Sequence, residues 1–358
     1  MEETITLSDA SGVAEARRAA TSLAQSLGCP EIVKANAALV VTEAATNILK
    51  YAGRGRIELK SYHDAGSHGI EVIALDAGPG IASVERAMAD GYSTGGSLGA
   101  GLGTIARQAS LFDIFTREGQ GMALLARIAC DKPKAATRAA GAAKSERTGV
   151  DLGVDLGADL GIDVGADVGA YSAPKAGQEI CGDAWAVQQA DGRLWLALLD
   201  GLGHGPLAAD ASRAAVAVFR GAAQGTARPA DVLHRAHAAL KATRGAVMAV
   251  ALFEPGRHQV TFAGVGNIVC SVQSLTGAQH LLSTDGTVGY NMRLIRENTA
   301  QWHSGAVFIA STDGLSTRWN LNRHAGLIAH HPSLIAAVMH RDFGKDSDDA
   351  TVVVVKAH

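Results

Sequence analysis

Four aspartates stand at the ends of apolar stretches that are far apart in the chain. Asp183 lies in EICGDAWAV, Asp200 in LWLALLDGLGHGP, Asp313 in VFIASTDGLS, and Asp348, followed by Asp349, in KDSDDATVVVVKA. Any one of these, read alone, is an ordinary turn after a strand. Four together are better explained by strand ends that deliver their carboxylates to one place in the fold. Carboxylates grouped in this way are hard oxygen ligands suited to Mg²⁺ or Mn²⁺. Two such ions can share a water and turn it on a phosphorus centre.

A second set of polar residues lies earlier in the chain. Residues 31–51 carry an apolar stripe, Val33, Ala37, Val40, Val41, Ala44 and Ile48, at helical spacing. Asn36, Glu43, Asn47 and Lys50 fall near one another on another face of the same helix. A solvated helix face would look the same. Further on, Asp76-Ala77-Gly78-Pro79-Gly80-Ile81 follows an extended stretch at 69–76. A carboxylate at that strand end can accept a hydrogen bond from an exocyclic amine such as that of adenine, although an ordinary turn reads alike. Ser93 to Gly103 is glycine-rich, with glycines at 95, 96, 99, 101 and 103, and precedes a helical pattern at Thr104–Leu111. Glycines ahead of a helix expose backbone N–H groups and the positive helix end, which suits phosphates. No Gly-Lys-Ser/Thr follows, so this is not a Walker loop.

These residues need two domains to hold them, and 358 residues supply two. The divider is Asp151–Gly169, which reads as five copies of Asp-(Leu/Val)-Gly-x. A helix there would place a glycine in every turn at about 1 kcal/mol each, so a flexible acidic spacer is expected. With the Ala/Lys-rich residues before it, that spacer would reach about 33 Å root-mean-square. The net charge of −3 carries no basic footprint for nucleic acid. No apolar run is expected to approach the ~18 residues of a membrane helix, and MEETITLSDA lacks the regions of a signal peptide. Cys29, Cys130, Cys181 and Cys270 are scattered, which suggests neither a zinc site nor a disulfide framework. A reduced, cytoplasmic protein is the expectation.

In chain order, a helix with Glu43 and Asn47, a DxGPGI turn, and a GxGxG loop opening a helix resemble the GHKL ATPase superfamily. The segments TEAATNILKYAGRG, DAGPGIASVERAMADGYSTGG and LGAGLGTIARQASLFDIFT are most similar to the RsbT-like switch kinases, over about residues 30–117. GDAW and DGLGHGPLAADAS resemble the PPM-type metal-dependent phosphatases, nearest the RsbX and SpoIIE-like branch, over about residues 168–356. The resemblance implies an α/β two-domain chain. A GHKL (Bergerat) α/β sandwich would occupy 1–130, a linker 131–167, and a PPM-type α-β-β-α sandwich 168–358.

By position, the resemblance makes Glu43 the general base on a serine hydroxyl and Asn47 the Mg²⁺ ligand beside ATP. Asp76 would read adenine, Gly78 and Gly80 would let the backbone approach the nucleotide, and Gly99, Gly101 and Gly103 would line the phosphates. In the second domain Asp183 and Asp200 would bridge two Mn²⁺ or Mg²⁺ ions. The Gly201 carbonyl, Asp313 and Asp348 would complete the site, with Asp349 supporting the turn. His204 could act as a general acid or be a turn residue. Gly182 stands where many eukaryotic relatives carry a second acid, and no arginine can be assigned to the substrate phosphate. The implied activity is a serine/threonine kinase joined to a phosphoserine/phosphothreonine phosphatase, with STAS-fold partner proteins as targets. A phosphatase regulated by a non-catalytic ATP-sensing or protein-binding GHKL domain is the open alternative.

Overall fold

Residues 2–64, 67–88, 101–131, 165–223, 228–274, 277–317, 319–321 and 324–358 are described by the computed structural model. They fall into two units, divided between Val154 and Asp155. Residues 132–164 of the expected spacer and Gly99 lie outside the described residues, whereas its last copy, Asp167–Gly169, is not spacer but part of a strand, Ala166–Ala173.

The first unit runs β1 (Glu2–Leu7), α1 (Ala10–Ser26), α2 (Glu31–Asn47), β2 (Gly55–Asp64), β3 (Ser67–Asp76), α3 (Val84–Met88), α4 (Gly101–Gln108), β4 (Leu111–Thr116) and β5 (Met122–Ala129). Its antiparallel sheet has the order β1-β2-β3-β5-β4. Asp9 caps α1 by accepting from the Ser11 amide at 2.8 Å, and Gly28, at φ +70°, stops the chain from continuing as helix. The apolar stripe expected at 33–48 is the buried face of α2 and packs on Ile57, Leu59, Val72, Leu124 and Ala126 of the sheet. After Asn47 the helix loosens into a single π turn, Ile48–Ala52, and ends at Gly53, φ +74°.

Three expectations need correction here. The helix expected at Thr104–Leu111 runs instead from Gly101 to Gln108, and Leu111 opens β4, paired with Arg127 of β5. Leu111, Phe112, Ile114 and Phe115 of that strand come in adjacent pairs and do not alternate with polar residues, so it shows no period of two. Glu31–Ala52 is, by length and by a window mean hydropathy of 1.2, long and apolar enough to cross a membrane. Its stripe is the core of this unit. Finally, Cys29 and Cys130 form a disulfide, with Cα atoms 4.8 Å apart. They are 101 residues apart in sequence. They meet because the turn between α1 and α2 lies beside the end of β5, and spacing alone could not show that.

The second unit runs β6 (Ala166–Ala173), β7 (Asp183–Ala190), β8 (Arg193–Gly201), α5 (Pro206–Ala223), α6 (Pro229–Ala239), β9 (Ala246–Glu254), β10 (Gln259–Val265), β11 (Val269–Ser274), β12 (Gly277–Leu281), β13 (Glu297–Gln301), β14 (Val307–Ser311), α7 (Pro332–Phe343) and β15 (Ala350–Ala357). Two five-stranded antiparallel sheets form, β13-β10-β9-β8-β7 and β12-β11-β14-β15-β6. Leu196, Leu198, Ala251 and Phe262 from the first sheet share one core with Cys270, Phe308, Val353 and Val355 from the second. α5 and α6 pack on the first sheet and α7 on the second. The layers are therefore helix, sheet, sheet, helix, which is the sandwich expected for this half.

Candidate functional site

In the second unit the hairpin of β7 and β8 sets Asp183 directly opposite Asp200. Side chains so paired project from the same face, with Cβ atoms about 5 Å apart. Like charges directly opposite one another destabilise a sheet, so this pairing needs a compensating group. Asp183 is 6% exposed. Its Oδ2 accepts from Thr312 Oγ1 at 2.8 Å, while its Oδ1 is buried with no hydrogen-bond partner. Burial, then the Asp200 charge, pushes the Asp183 carboxyl well above the usual range. Burial, then the charges of Asp313, Asp348 and Asp349, pushes Asp200 up to about 7.

The second sheet brings the remaining acids to the same end of the sandwich. Asp313 follows β14, and its Oδ2 accepts from Asn267 Nδ2 at 2.6 Å. Lys345 Nζ donates to the Asp313 carbonyl at 2.6 Å. Asp348 accepts from the Asp349 amide at 3.0 Å. Asp349, 3% exposed, accepts from the amides of Lys175 (2.8 Å) and Gly182 (2.9 Å), and so ties the two sheets together. Among the described residues no three acid or imidazole groups stand around one ligating point. What links the four aspartates is the electrostatic coupling through Asp200 and the shared sheet end.

The donor set nevertheless fits divalent cations. An orphaned, buried carboxylate oxygen opposite a second carboxylate is satisfied by a shared proton or, with both groups ionised, by a cation. Gly201 is fixed by packing, because a side chain there would strike the Ala208 carbonyl at the start of α5. At Gly182 a Cβ would come within 2.8 Å of both Ala208 Cβ and Asp349 Oδ2, which leaves no room for a second acid. His204 is exposed in the loop after Asp200. Asn267 and Thr312 hold Asp313 and Asp183 in place, and sequence reasoning missed both. Asn267 stands in no motif, and Thr312, although beside Asp313 in VFIASTDGLS, acts on Asp183 129 residues away.

In the first unit Glu43 and Asn47 are half-buried and one helical turn apart on α2. A Cβ at Gly101 would lie 3.1 Å from Glu43 Oε2 and 3.2 Å from Asn47 Nδ2. The first residue of α4 thus rests on both polar groups, and a side chain there would press on them. Gly103 is buried two residues further into α4. Asp76, at the end of β3, is 7% exposed, and its Oδ1 accepts from the amides of Gly78 (2.8 Å) and Met122 (3.3 Å). Gly78 and Gly80 have reasons within the protein itself. Ala52 fills the space beside Gly78, and the Arg117 carbonyl fills that beside Gly80, which also has φ +71°. The large groove of this unit, about 1100 Å³, lies elsewhere, between α1 and α2 along Arg17, Thr21, Thr46 and Lys50.

Comparison with known proteins gives the same division. Residues 6–128 match the histidine kinase-like ATPase domain, and residues 190–358 match stage II sporulation protein E (SpoIIE). The chain is 37% identical over 109 residues to the serine/threonine-protein kinase RsbT of Bacillus subtilis (strain 168), covering 30% of this chain and 82% of that protein. It is 30% identical over 147 residues to the phosphoserine phosphatase RsbX of the same organism, covering 41% of this chain and 73% of that protein. A structure of RsbX in complex with magnesium is 26% identical, covering 54% of this chain and 96% of its own, with a TM-score of 0.49.

Proposed function

The chain belongs to two families, the histidine kinase-like ATPases that include RsbT and the SpoIIE-type PP2C serine/threonine phosphatases that include RsbX, and we propose that it sets the phosphorylation state of one partner protein from both directions. The first unit transfers phosphate from Mg-ATP to a serine or threonine. The second removes it. The partner is a small STAS-fold protein of the antagonist or stressosome-scaffold type.

The observation that carries this reading is the buried Asp183–Asp200 pair with its orphaned oxygen. Two Mg²⁺ or Mn²⁺ ions held there by Asp183, Asp200, the Gly201 carbonyl, Asp313 and Asp348 would supply a water acidified enough to attack a phosphate ester near neutral pH. The chain's own part is to fix those ligands. Thr312 orients Asp183, Asn267 orients Asp313, and Asp349 holds the Gly182 turn.

In the first unit Asn47 would hold Mg²⁺ and Asp76 would receive the adenine amine. Gly101 and Gly103 would lie along the phosphates. Glu43 would take the proton from the incoming hydroxyl as its oxygen bonds to the γ-phosphorus and the bond from that phosphorus to the ADP oxygen breaks, which requires hydrogen-bond reach. Its place against Gly101 at the start of α4 supports this role.

Mixing the purified chain with candidate STAS proteins and labelled ATP, with and without Mn²⁺, tests the proposal. Label should enter the partner and leave it when Mn²⁺ is added. Loss of pre-installed label without any transfer would leave a phosphatase whose first unit only senses ATP.

A further inference from the structure

We propose that Arg244 holds the phosphoryl oxygens of the substrate at the carboxylate site, an inference that rests on the phosphatase reading above. β9 begins at Ala246, which pairs with Gly201, while Val247 pairs with Asp200. Residues just before β9 therefore emerge at the same sheet end as the opposed aspartates. The turn that carries Arg244 is pinned to the loop after Asp200. The Gly245 carbonyl accepts from the Leu202 amide at 3.1 Å. Thr243 Oγ1 accepts from the Gly245 amide at 3.0 Å. Gly245 itself has φ +81°, a conformation that favours glycine.

The side chain follows the same direction. A Cβ at Gly203 would lie 3.1 Å from Arg244 Nη1, so the guanidinium rests over the backbone of the loop that Asp200 opens. Arg244 is exposed, and among the described residues its guanidinium has no ion pair or hydrogen bond. Several arginines of this unit are paired, although Arg235, Arg293 and Arg296, like Arg244, have no partner among the described residues. Arg193 pairs with Asp191, Arg228 with Glu297 and Arg257 with Glu254. Arg244 lies at the end of the sandwich richest in carboxylates, yet none of Asp183, Asp200, Asp313, Asp348 or Asp349 takes it as a partner.

A cation placed there and left unpaired is suited to an anion that arrives with the substrate. The guanidinium is planar, stays protonated, and matches two phosphoryl oxygens at once. An arginine so placed supplies the grip on phosphate that sequence reading could not assign. KATRGAV carries no spacing signal, and only the register of β9 against β8 brings the residue to the site.

The test uses the full chain with Arg244→Ala and Arg244→Lys. Removing a charge-assisted hydrogen bond is worth about 10- to 100-fold. Arg244→Ala should raise KM for a phosphoserine peptide by that factor, with a smaller change in kcat. The inhibition constant of inorganic phosphate should rise in parallel. Mn²⁺ binding by calorimetry and the melting temperature should match wild type. Arg244→Lys, which keeps the charge but not the fork, should recover part of the loss. Calorimetry of inorganic phosphate binding to the Mn²⁺-loaded chain reads the same contact without turnover. If wild type binds phosphate but hydrolyses no phosphoserine peptide, the phosphatase reading fails while this contact stands. Equal phosphate affinity in wild type and Arg244→Ala overturns the proposal, whatever the turnover.

Discussion

Replacing Asp200 by Asn should make the metal-free second unit more stable at alkaline pH and remove its response to divalent cations. Burial, then Asp313, Asp348 and Asp349, raises the Asp200 carboxyl from 3.8 to about 7. The folded state thus binds that proton more tightly than the unfolded state. The resulting stability is fully present below about pH 3.8 and is lost as the pH rises through about 7. A difference of that size is worth about 4 kcal/mol between the two protonation states. Coupling to Asp183 spreads it over the pair, so the expected gain from Asn at about pH 8 is roughly 2–4 kcal/mol. At ~2–4 °C per kcal/mol for a unit of roughly this size, the melting temperature should rise by about 4–16 °C. Calorimetry in chelator near pH 5 and pH 8, then with added Mn²⁺, measures this. Near pH 5, about one unit above the unfolded value, the gap should be about 1–2 kcal/mol at most and less than half of that near pH 8. Mn²⁺ should raise the transition of wild type far more than that of Asp200→Asn. A variant that melts at or below wild type near pH 8, with its Mn²⁺ response intact, would refute the argument that the opposed carboxylates are a cation site.

Two further outcomes are expected. Glu43→Ala should keep nucleotide binding by calorimetry and lose phosphoryl transfer by about 10²–10⁴-fold, whereas Asn47→Ala should also weaken Mg²⁺-dependent nucleotide binding. Cys29→Ser, or reductant on wild type, should destabilise the first unit by about 2–5 kcal/mol, because the bond closes a long loop. Reductant added to Cys29→Ser should then shift its melting curve no further.

The candidate site residues could be named from the sequence because their motifs are local. DAGPGI, GLGTI and DGLGHG each place an acid or a glycine at a strand or helix end, and strongly periodic stretches such as residues 33–48 mark the elements around them. What was not legible depends on pairing across the chain. β4 is short, and Leu111 reads equally well as the end of a helix. The Cys29–Cys130 bond needs the α1–α2 turn set beside β5. Asn267 meets Asp313, and Thr312 meets Asp183, only after the two sheets close on one core. Gly78 and Gly80 were expected to serve the nucleotide, but Ala52 and the Arg117 carbonyl already require them. A glycine can be demanded by a ligand or by the fold, and its letter does not distinguish the two.

The central claim is that two opposed activities act on one partner. It is tested most directly by the phosphorylated fraction of a STAS partner at steady state, read by phosphate-affinity gel after ATP addition. Asp200→Asn should hold that fraction above wild type and Glu43→Ala below it, while wild type sits between them and continues to consume ATP. Equal fractions for wild type and Asp200→Asn, with each unit active on other substrates, would contradict the claim.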